Sequence, residues 1–429
     1  MNFVKKIPLV KKLINKFNNL ENSIKELSDD NIRLRFKLKV LNKEKINVVF
    51  VCWRPAVWGS LKTVYEAMKD DDKFNVKIVT IPNKKQLPKK GLNHEIYESE
   101  GAENFWTDKN VIQGYNYETK EWFDLRLLKA DYICFQQPYN VCRTVAEKSW
   151  AVRKYAKIFY VHYASNFIGS GILKDSNPPD FINDVALYFN QSKSDYDLIN
   201  TYLKNLGNSF TKTFLTGFPR YDNLNCLKYV ESDIWNFPKS DKKFRIVWTP
   251  RWCTNEGNCN FFEYKDLLLS YCKINKDIDF VFRPHPQAFL NWSSTGELPD
   301  SKAKEYRLEY QRTENAKVDE SCEYLSTFYS SDCLITDISS IVAEYFLTGK
   351  PIIYCHKKDC FNDFSKKLSE GFYWVNNWNE LKKTLEMLKK GEDPLKEIRL
   401  RLIKNEFFIP PEGAGHMIKE IIKSDFLNS

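Results

Sequence analysis

The sequence is poor in histidine and lacks paired cysteine motifs. Five histidines and eleven cysteines occur among 429 residues, with no CxxC pair and no paired histidine spacing. Structural zinc sites are usually built from such pairs, so no metal site is predicted. An odd number of irregularly spaced cysteines is typical of reduced thiols in a cytosolic protein. We therefore expect a cytoplasmic location.

Long apolar runs and glycine-rich nucleotide motifs are also lacking. No stretch approaches the roughly 20 apolar residues that span a bilayer, and the start, MNFVKKIPLVKK, has no signal-peptide core. Without GxGxxG or GxxxxGK[ST], neither a dinucleotide fingerprint nor a P-loop is predicted. No cofactor is expected. The net charge of +9 favours phosphorylated small molecules or a membrane surface over nucleic acid as the anionic partner.

The first forty residues carry a heptad repeat. Its d positions are Leu13, Leu20, Leu27, Leu34 and Leu41, and its a positions are Val10, Phe17, Ile24, Asn31 and Leu38. Leucine at d with one asparagine at a favours a parallel two-stranded coiled coil, so a homo-oligomer is expected. The alternative concerns residues 32–40, IRLRFKLKV, whose alternation of apolar and basic residues also fits a strand.

The same segment begins with a cluster of basic residues. These are Lys5, Lys6, Lys11, Lys12 and Lys16, with no acidic residue among them. A basic amphipathic helix can lie on an anionic membrane surface, each lysine contributing about 1 kcal/mol. Peripheral contact with the inner face of the cell membrane is one prediction, and a solvated helix face is the alternative.

From Ile46 onward, short apolar runs alternate with helical stretches, notably 143–155 and 194–205. In the first half the runs are 46–52, 74–80, 131–136, 157–163, 184–190 and 213–218. This alternation predicts a parallel sheet covered by helices on both faces. The stretch 82–125, rich in Trp, Tyr and Asn, is predicted to be an irregular insertion near the site.

A second alternating series follows the charged, turn-rich segment 219–243. Its apolar runs are 244–250, 279–286, 332–337, 351–355 and 372–375. We predict an N-terminal coiled-coil helix over 1–43, a Rossmann-like domain over 44–235 and a second one over 236–429 that ends in helices. Two doubly wound domains in tandem would place their strand carboxyl ends around one cleft.

Polar side chains follow directly after several of the predicted strands. They are His162, Arg220, Arg251, Arg283, His285, Asp337, Ser339 and Ser340. In a doubly wound fold these positions converge on the crevice in which ligands bind. The clustering predicts a site between the two domains.

The stretch TDISSIVAEYFLTGKP (336–351) predicts a strand end followed by a helix. Asp337 is expected to cap this helix, so that amides near Ser339 and Ser340 would face a bound phosphate. Glu344, one turn later, would be within reach of a nucleotide ribose. The alternative is an ordinary capped helix with a surface glutamate.

Two histidines are candidates for catalysis. His285 lies between two prolines in RPHP, which stiffen the turn, and with Arg283 it would stabilise charge on a transferring phosphoryl group. His162 would serve as a general base, because histidine titrates near neutral pH. For each, the alternative is a structural histidine in the core.

Four motifs carry a resemblance to a known family. They are TGFPRYD (216–222), WTPRW (248–252), FRPHP (282–286) and LITDISSIVAEYFLTGKPIIY (334–354). In order and spacing they resemble the CDP-glycerol glycerophosphotransferase family, the polyol-phosphate transferases of teichoic-acid and capsule assembly. The resemblance implies a GT-B fold, which is α/β with two Rossmann-like domains. It also implies that an acceptor hydroxyl attacks the β-phosphorus of a CDP-linked donor and releases CMP.

The resemblance also implies residue roles. His162 matches the family's proposed base, although HYAS (162–165) replaces an HGTP-like motif, and His285 matches the second family histidine. The donor-binding set implied here is Arg251, Arg283, Thr336, Asp337, Ser339, Ser340 and Glu344. Arg220 is a further phosphate contact on this reading.

A second function stays open at this point. Glutamate at the position of Glu344 is common in GT-B sugar transferases, where it holds ribose hydroxyls. A nucleotide-sugar glycosyltransferase of capsule or surface glycan synthesis is therefore the alternative. Either enzyme would take a nucleotide-activated donor and a polymeric or lipid-linked glycan acceptor. A scaffold without activity is the third reading, and the retained Arg283 and His285 argue against it.

Overall fold

The computed structural model describes residues 8–86, 95–99, 111–165, 173–222, 224, 230–321, 324–358 and 360–429. Within these ranges the chain forms two parallel sheets with flanking helices, preceded by a long N-terminal helix. The predicted α/β fold with two strand–helix units is therefore confirmed. Lys5, Lys6 and the first part of the basic cluster lie outside the described residues.

The first sheet lies in the first half of the chain. The strands of that half are β1 (Ile46–Cys52), β2 (Phe74–Thr80), β3 (Asn83–Gln86), β4 (Glu95–Glu98), β5 (Val111–Gln113), β6 (Tyr132–Phe135), β7 (Lys157–Val161), β8 (Val185–Asn190) and β9 (Lys212–Leu215). Seven of them form one parallel sheet in the order β5-β2-β1-β6-β7-β8-β9, and β3 pairs with β4 in an antiparallel hairpin. The central strands are buried on both faces, which explains their unbroken apolar sequences.

The second sheet repeats this design. Its strands are β10 (Phe244–Thr249), β11 (Ile278–Phe282), β12 (Ala316–Val318), β13 (Cys333–Thr336), β14 (Ile352–Cys355) and β15 (Phe372–Val375). They are parallel and lie in the order β12-β11-β10-β13-β14-β15. An aromatic core packs against β10 and β11, with the Phe261 and Trp292 rings stacked at a centroid distance of 3.9 Å.

Fifteen α-helices are described. They are α1 (Pro8–Leu41), α2 (Lys62–Lys69), α3 (Ser149–Val152), α4 (Leu173–Ser176), α5 (Pro179–Ile182), α6 (Lys193–Asn205), α7 (Phe261–Ile274), α8 (Ala288–Ser294), α9 (Asp300–Gln311), α10 (Leu325–Ser330), α11 (Ile341–Phe346), α12 (Asp363–Leu368), α13 (Trp378–Lys389), α14 (Lys396–Glu406) and α15 (Ala414–Leu427). Short 3₁₀ turns, among them Pro55–Ser60 and Pro219–Tyr221, connect several elements.

Residues 32–40 belong to α1 and not to a strand. Ile32 and Phe36, 3% and 0% exposed, enter the core beside the first sheet. The Lys39 ammonium lies 2.5 Å from the buried Asp131 carboxylate. The period-two alternation is misleading because Phe36 and Ile32, four residues apart, already share one helical face. The helical prediction for this stretch is therefore confirmed.

The last helix returns to the first sheet. Ile418, Ile422 and Phe426 of α15 belong to the same core cluster as β1 and α2. Phe426 packs on Phe36 with ring centroids 4.7 Å apart, so the two ends of the chain meet. The boundary between 44–235 and 236–429 stays a prediction, and the fold adds that α15 packs on the N-terminal sheet.

Two local expectations are modified by the structure. The stretch 82–125 contains the β3–β4 hairpin and the edge strand β5 rather than irregular chain alone. The helix expected over 143–155 is reduced to α3, because the segment before it folds into 3₁₀ turns anchored by Asn140. The Asn140 amide donates to the Ser149 hydroxyl over 2.8 Å, and its oxygen accepts from the Ser149 amide.

Candidate functional site

In each sheet the chain order reverses beside the first strand. β1 lies between β2 and β6, and β10 lies between β11 and β13. Connections on the two sides of such a reversal leave in opposite directions, which opens a crevice at the carboxyl ends of the strands. His162 follows β7, Arg251 follows β10, and His285 follows β11. The sequence-predicted residues therefore lie at the edges where ligands bind in this class of fold.

His162 is held in one defined tautomer. It is 3% exposed, and its Nδ1 lies 2.6 Å from the Ala164 carbonyl oxygen. The Ala164 amide lies 3.3 Å from the same nitrogen, but the carbonyl contact is much shorter and a carbonyl only accepts, so we assign the proton to Nδ1. The Gln191 amide donates to the same oxygen over 2.8 Å. Nε2 is then unprotonated, and this buried atom makes no hydrogen bond among the described residues.

The surroundings of His162 keep it neutral. Burial lowers its pKa to about 4, against the opposing effect of the Ala164 and Ser176 carbonyls. Tyr163 stacks on the ring at a centroid distance of 5.1 Å, and its hydroxyl lies 3.0 Å from that of Tyr139. A neutral imidazole with a free Nε2 can accept a proton from a hydroxyl.

The turn after β1 adds residues that the sequence analysis missed. The Gln136 side-chain oxygen accepts from the amides of Trp53 and Arg54 over 2.8 and 3.0 Å, and its nitrogen donates to the Arg54 carbonyl. These bonds fix the turn beside the reversal between β1 and β6. The Arg54 guanidinium packs over the Trp53 ring at 4.3 Å. The sequence did contain a signal for Arg54, because it is a basic residue that follows a predicted strand, as the other candidate site residues do.

His285 lies at the corresponding edge of the second sheet. Its Nδ1 accepts a hydrogen bond from the Gln287 amide over 3.2 Å, which leaves the proton on Nε2. Neighbouring protein atoms and the charges of Arg251, Arg54 and Arg283 lower its pKa. Because the His285 side chain is exposed to solvent, the three positive charges are the cause on which we rely. The ring is thus a neutral donor in a positive environment, which suits a phosphate oxygen.

Arg283 is oriented by its own domain. It pairs with Asp319 at 2.5 Å and donates to the Ser321 carbonyl over 2.7 Å. Its guanidinium lies 4.7 Å from the centre of the Tyr324 ring. These contacts fix the Arg283 guanidinium, two residues before His285.

Asp337 ties the second-sheet loops together and does not cap a helix. Its carboxylate accepts from the amides of Arg251 and Asn260 over 2.5 and 2.9 Å. Burial raises its pKa to about 7 despite these bonds. The expected capping role is therefore wrong, since Ser340 is the N-cap of α11. Thr336 is also buried and donates to the Thr249 carbonyl, so both residues would act on a ligand through the loops they hold.

Ser339 and Ser340 lie where β13 passes into α11. Both are half-buried, in contrast to the fully buried residues before them. Arg251 approaches the same loop through its bond to Asp337 and pairs with Glu256 at 2.8 Å. The two serines are the part of this motif that is open to a ligand.

Glu344 and Arg220 meet in a buried cluster with Tyr324. The Arg220 guanidinium donates to the Tyr324 hydroxyl over 2.5 Å, and that hydroxyl donates to Glu344 over 2.5 Å. Glu344 and Arg220 are themselves 3.7 Å apart. Burial acts to lower the pKa of Arg220, but Tyr324 and Glu344 outweigh it and raise the pKa. Arg220 therefore links the segment after β9 to the second sheet, and Glu344 is not the surface glutamate of the alternative reading.

A pocket lies between the two halves of the chain near His162. It is lined from one side by α6 and by the residues between β8 and α6, including Gln191, and from the other by residues around α12, including Asn362 and Lys366. The lining mixes polar and apolar side chains. Gln191 also donates to the carbonyl that holds His162, so it links the wall of this pocket to the general-base candidate.

Metal sites and membrane-spanning helices are both lacking in the described part of the chain. No group of three or more His, Cys, Asp or Glu side chains there is arranged to hold a metal ion. Over the same ranges, every helix is too short or too polar to cross a bilayer.

Comparison with known proteins decides the family. A family model described as CDP-Glycerol:Poly(glycerophosphate) glycerophosphotransferase matches residues 32–374, which is most of the chain. The chain belongs to this family. It is a glycerophosphotransferase-type transferase, and the resemblance of its motifs is confirmed. The nucleotide-sugar glycosyltransferase is not favoured by this match. Comparison with curated proteins found no match.

Solved structures show the fold of this glycerophosphotransferase family member independently. The wall teichoic acid polymerase TagF has 14% identity and a TM-score of 0.55, covering 98% of this chain and 97% of that one. A UDP-GlcNAc 2-epimerase from Neisseria meningitidis bound to UDP-GlcNAc has 12% identity and a TM-score of 0.56, covering 90% and 100%. The S. aureus MnaA–UDP structure has 14% identity and a TM-score of 0.55, covering 90% and 97%. These similarities confirm the predicted GT-B-like fold.

Proposed function

We propose that this glycerophosphotransferase moves glycerol phosphate from CDP-glycerol to a hydroxyl of a teichoic-acid-like polymer and releases CMP. The observation that carries the proposal is the pair of neutral histidines at the carboxyl edges of the two sheets. His162 has a free, unprotonated Nε2, and His285 has a protonated Nε2 among arginines. One can accept a proton from a hydroxyl and the other can donate to a phosphate.

The donor is proposed to lie on the second sheet. Its diphosphate would lie at the loop of Ser339 and Ser340, with Arg283, His285 and Arg251 near it. The two arginines would face the developing negative charge, and Asp319 and Glu256 hold them in place. The neutral His285 would donate a hydrogen bond to a phosphate oxygen. The buried Asp337 and Thr336 would position this loop through their hydrogen bonds and would not contact the donor themselves.

The proposed role of Glu344 requires a change in its hydrogen bonding. Its carboxylate is buried against Tyr324 and Arg220. To hold the ribose hydroxyls, it would exchange the Tyr324 bond for a ribose bond while Arg220 keeps its charge balanced. Arg220 thus supports Glu344 and is not itself proposed as a phosphate ligand.

The acceptor is proposed to enter from the first sheet. His162 would remove the proton of the attacking hydroxyl as the oxygen bonds to the β-phosphorus and the bond to the CMP oxygen breaks. The pocket beside Gln191 is a suitable place for a polyol chain. The Arg54 turn lies at the same edge, and its charge is among those that act on His285.

A donor screen tests the proposal. CDP-glycerol, CDP-ribitol, UDP-GlcNAc and GDP-mannose are each incubated with the enzyme and a poly(glycerol phosphate) acceptor. We expect CMP from a CDP-polyol and polymer longer by polyol phosphate units. The His285→Ala variant is the control for background hydrolysis. Release of a nucleoside diphosphate from a sugar donor, with no CMP from either CDP-polyol, would support the glycosyltransferase instead.

We also propose where the enzyme works and how it is held there. It would act in the cytoplasm at the inner face of the membrane, because a polymer acceptor of this type is joined to a lipid or an envelope glycan. Lys11, Lys12 and Lys16 would add electrostatic attraction to anionic lipids. The heptad face of α1 is proposed to associate with another copy of the chain.

A further inference from the structure

The heptad face of α1 lies open along the whole helix. We define it as the nine described a and d positions: Leu13, Phe17, Leu20, Ile24, Leu27, Asn31, Leu34, Leu38 and Leu41. All nine are exposed, the apolar ones from 44% at Ile24 to 77% at Leu41. A contiguous apolar stripe of this length on a protein surface is typical of an interaction site.

The opposite side of α1 is already occupied. Ile32, Phe36 and Lys39 face the first sheet and are buried. Asp29 pairs with Arg153 at 3.2 Å, so this attachment begins at about the twenty-ninth residue. An α-helix turns by 100° per residue, so Ile32, Phe36 and Lys39 lie on the side of α1 opposite to Leu34 and Leu38. The heptad face is therefore not needed to hold α1 on its own body.

The residues that flank the heptad face complement one another between parallel copies. In a parallel coiled coil, each g position faces the e position five residues later in the second helix. Two of the resulting pairs are Lys16 with Glu21 and Ser23 with Ser28. A lysine therefore meets a glutamate, and a hydroxyl meets a hydroxyl. Arg35, at the e position that follows, is instead bonded to the Tyr155 and Ala130 carbonyls of its own body.

An antiparallel arrangement does not give this match. Centred on the same helix, it would set Ile14 against Arg35 and Lys16 against Lys37. It would also place Asn31 opposite a leucine of the d layer. In a parallel, in-register pair Asn31 meets Asn31 of the second copy, and their amides can bond.

We propose that α1 joins two copies of the chain as a parallel, in-register coiled coil. This rests on the self-association proposed above and adds its stoichiometry, direction and register. Both bodies then lie at the carboxyl ends of the paired helices, and both basic starts lie together at the other end. The partner is a second copy of the chain, because the g positions of α1 are complementary to the e positions of the same sequence.

Charge reversal tests the direction on the full-length enzyme. Lys16→Glu sets a carboxylate against that of Glu21 in the second copy, and we expect the dimer dissociation constant to rise several-fold. Lys16→Glu combined with Glu21→Lys should restore it, because the two sites are five residues apart and do not face each other within one helix. Lys12→Glu, at an outer c position, is the matched control and should leave the constant unchanged. Failure of the double variant to recover would overturn the pairing.

A cross-link tests the register and separates it from self-association. Leu13→Cys should form an intermolecular disulfide under mild oxidation, because equivalent d residues are adjacent in a parallel dimer. The unsubstituted chain, with its native cysteines, gives the background. Light scattering that finds a monomer would overturn both self-association and this proposal. A dimer whose Leu13→Cys variant does not cross-link would overturn the parallel arrangement alone. Binding to anionic vesicles as a monomer would mean that the heptad face meets lipid instead.

Discussion

At the scale of single residues, His162 has only one nitrogen left for chemistry. Its Nδ1 proton is committed to the Ala164 carbonyl, which Gln191 also holds. Its Nε2 is buried with no hydrogen bond in the described part of the chain. A buried nitrogen without a hydrogen bond lowers the free energy of unfolding, so this arrangement reduces the stability of the fold. That cost is expected at a residue that exchanges a proton with a substrate.

The same histidine predicts a loss of stability in acid. Its pKa is about 4 in the folded chain and about 6.5 when unfolded. Between these values only the unfolded chain binds the proton, so the His162 contribution is complete above pH 6.5 and is lost as the pH falls toward 4. At pH 5 the loss is about 2 kcal/mol.

The test is urea unfolding at pH 7.5 and pH 5.0 for the natural chain and His162→Asn. The variant should lose about 2 kcal/mol less on acidification. Comparing the two chains removes the contribution of Asp337, whose raised pKa acts with the opposite sign. An equal loss in both chains would mean that His162 is not held neutral.

The buried Arg220–Glu344 pair gives a second residue-scale prediction. Arg220→Met leaves the Glu344 carboxylate buried without a cation and should destabilise the fold by about 3–5 kcal/mol. Arg220→Met with Glu344→Leu removes the stranded charge, so much of the stability should return. Chemical denaturation measures both.

The exposed pair Arg126–Asp124 is the control for that experiment, since Arg126 is 69% exposed. Arg126→Met should leave stability nearly unchanged, because solvent screens an exposed ion pair. If the double variant at the buried pair were as unstable as the single one, the charges would not be the cause.

The places of the candidate site residues in the fold could be predicted from the sequence, but their environments could not. Residues after strands were identifiable because parallel strand ends define the crevice, and His162 and His285 lie there. Arg54 follows the same rule and was missed because no family motif contains it. Tyr324 could not be found, since its link to Arg220 joins segments about 100 residues apart. Burial of Asp337 and Glu344 likewise depends on tertiary packing.

At the scale of elements, α1 has two different faces. The heptad face is open, and the residues around Phe36 are part of the core. Phe36 packs on Tyr132 and Phe426 with ring centroids 5.4 and 4.7 Å away. The carboxyl half of the helix is therefore structural, while its first half is available for association.

Two alanine substitutions separate these faces. Phe36→Ala should lower the free energy of unfolding by about 3–5 kcal/mol, because it removes a fully buried ring. Phe17→Ala, on the heptad face, should leave the unfolding of the body nearly unchanged at concentrations where the chain is monomeric. Thermal or urea unfolding at low protein concentration measures both. A large effect at Phe17 would place the first half of α1 against the body.

The central strands and one edge strand of each sheet, β9 and β15, were predictable, but the edge strands β5 and β12 were not. The central runs are continuously apolar because both of their faces are covered, so β1 and β2 were predicted with their observed bounds. The edge strands β5 and β12 have three residues each and too little apolar sequence to be recognised. Their position is set by pairing with β2 and β11.

At the scale of the whole molecule, the proposed reaction is divided between the two sheets. The first sheet would supply His162 and the pocket beside Gln191, and the second would supply His285, its arginines and the loop of Ser339. The segment carrying Arg220 and the helix α15 connect the two halves. A cleft of this design can hold two substrates whose chemistry differs.

The most direct test of this division measures two quantities, donor affinity and turnover, for two histidine variants. CDP-glycerol binding is followed by calorimetry, and CMP release is measured with saturating polymer acceptor. His162→Ala should reduce turnover about 10²–10⁴-fold while donor affinity stays within a few-fold, because a general base acts only in the transition state. His285→Ala should weaken donor binding as well, because it removes a phosphate contact made before the reaction. His416→Ala, at a half-buried histidine on α15 outside the proposed site, should change neither. Near-normal turnover of His162→Ala, or unchanged donor affinity of His285→Ala, would contradict the division.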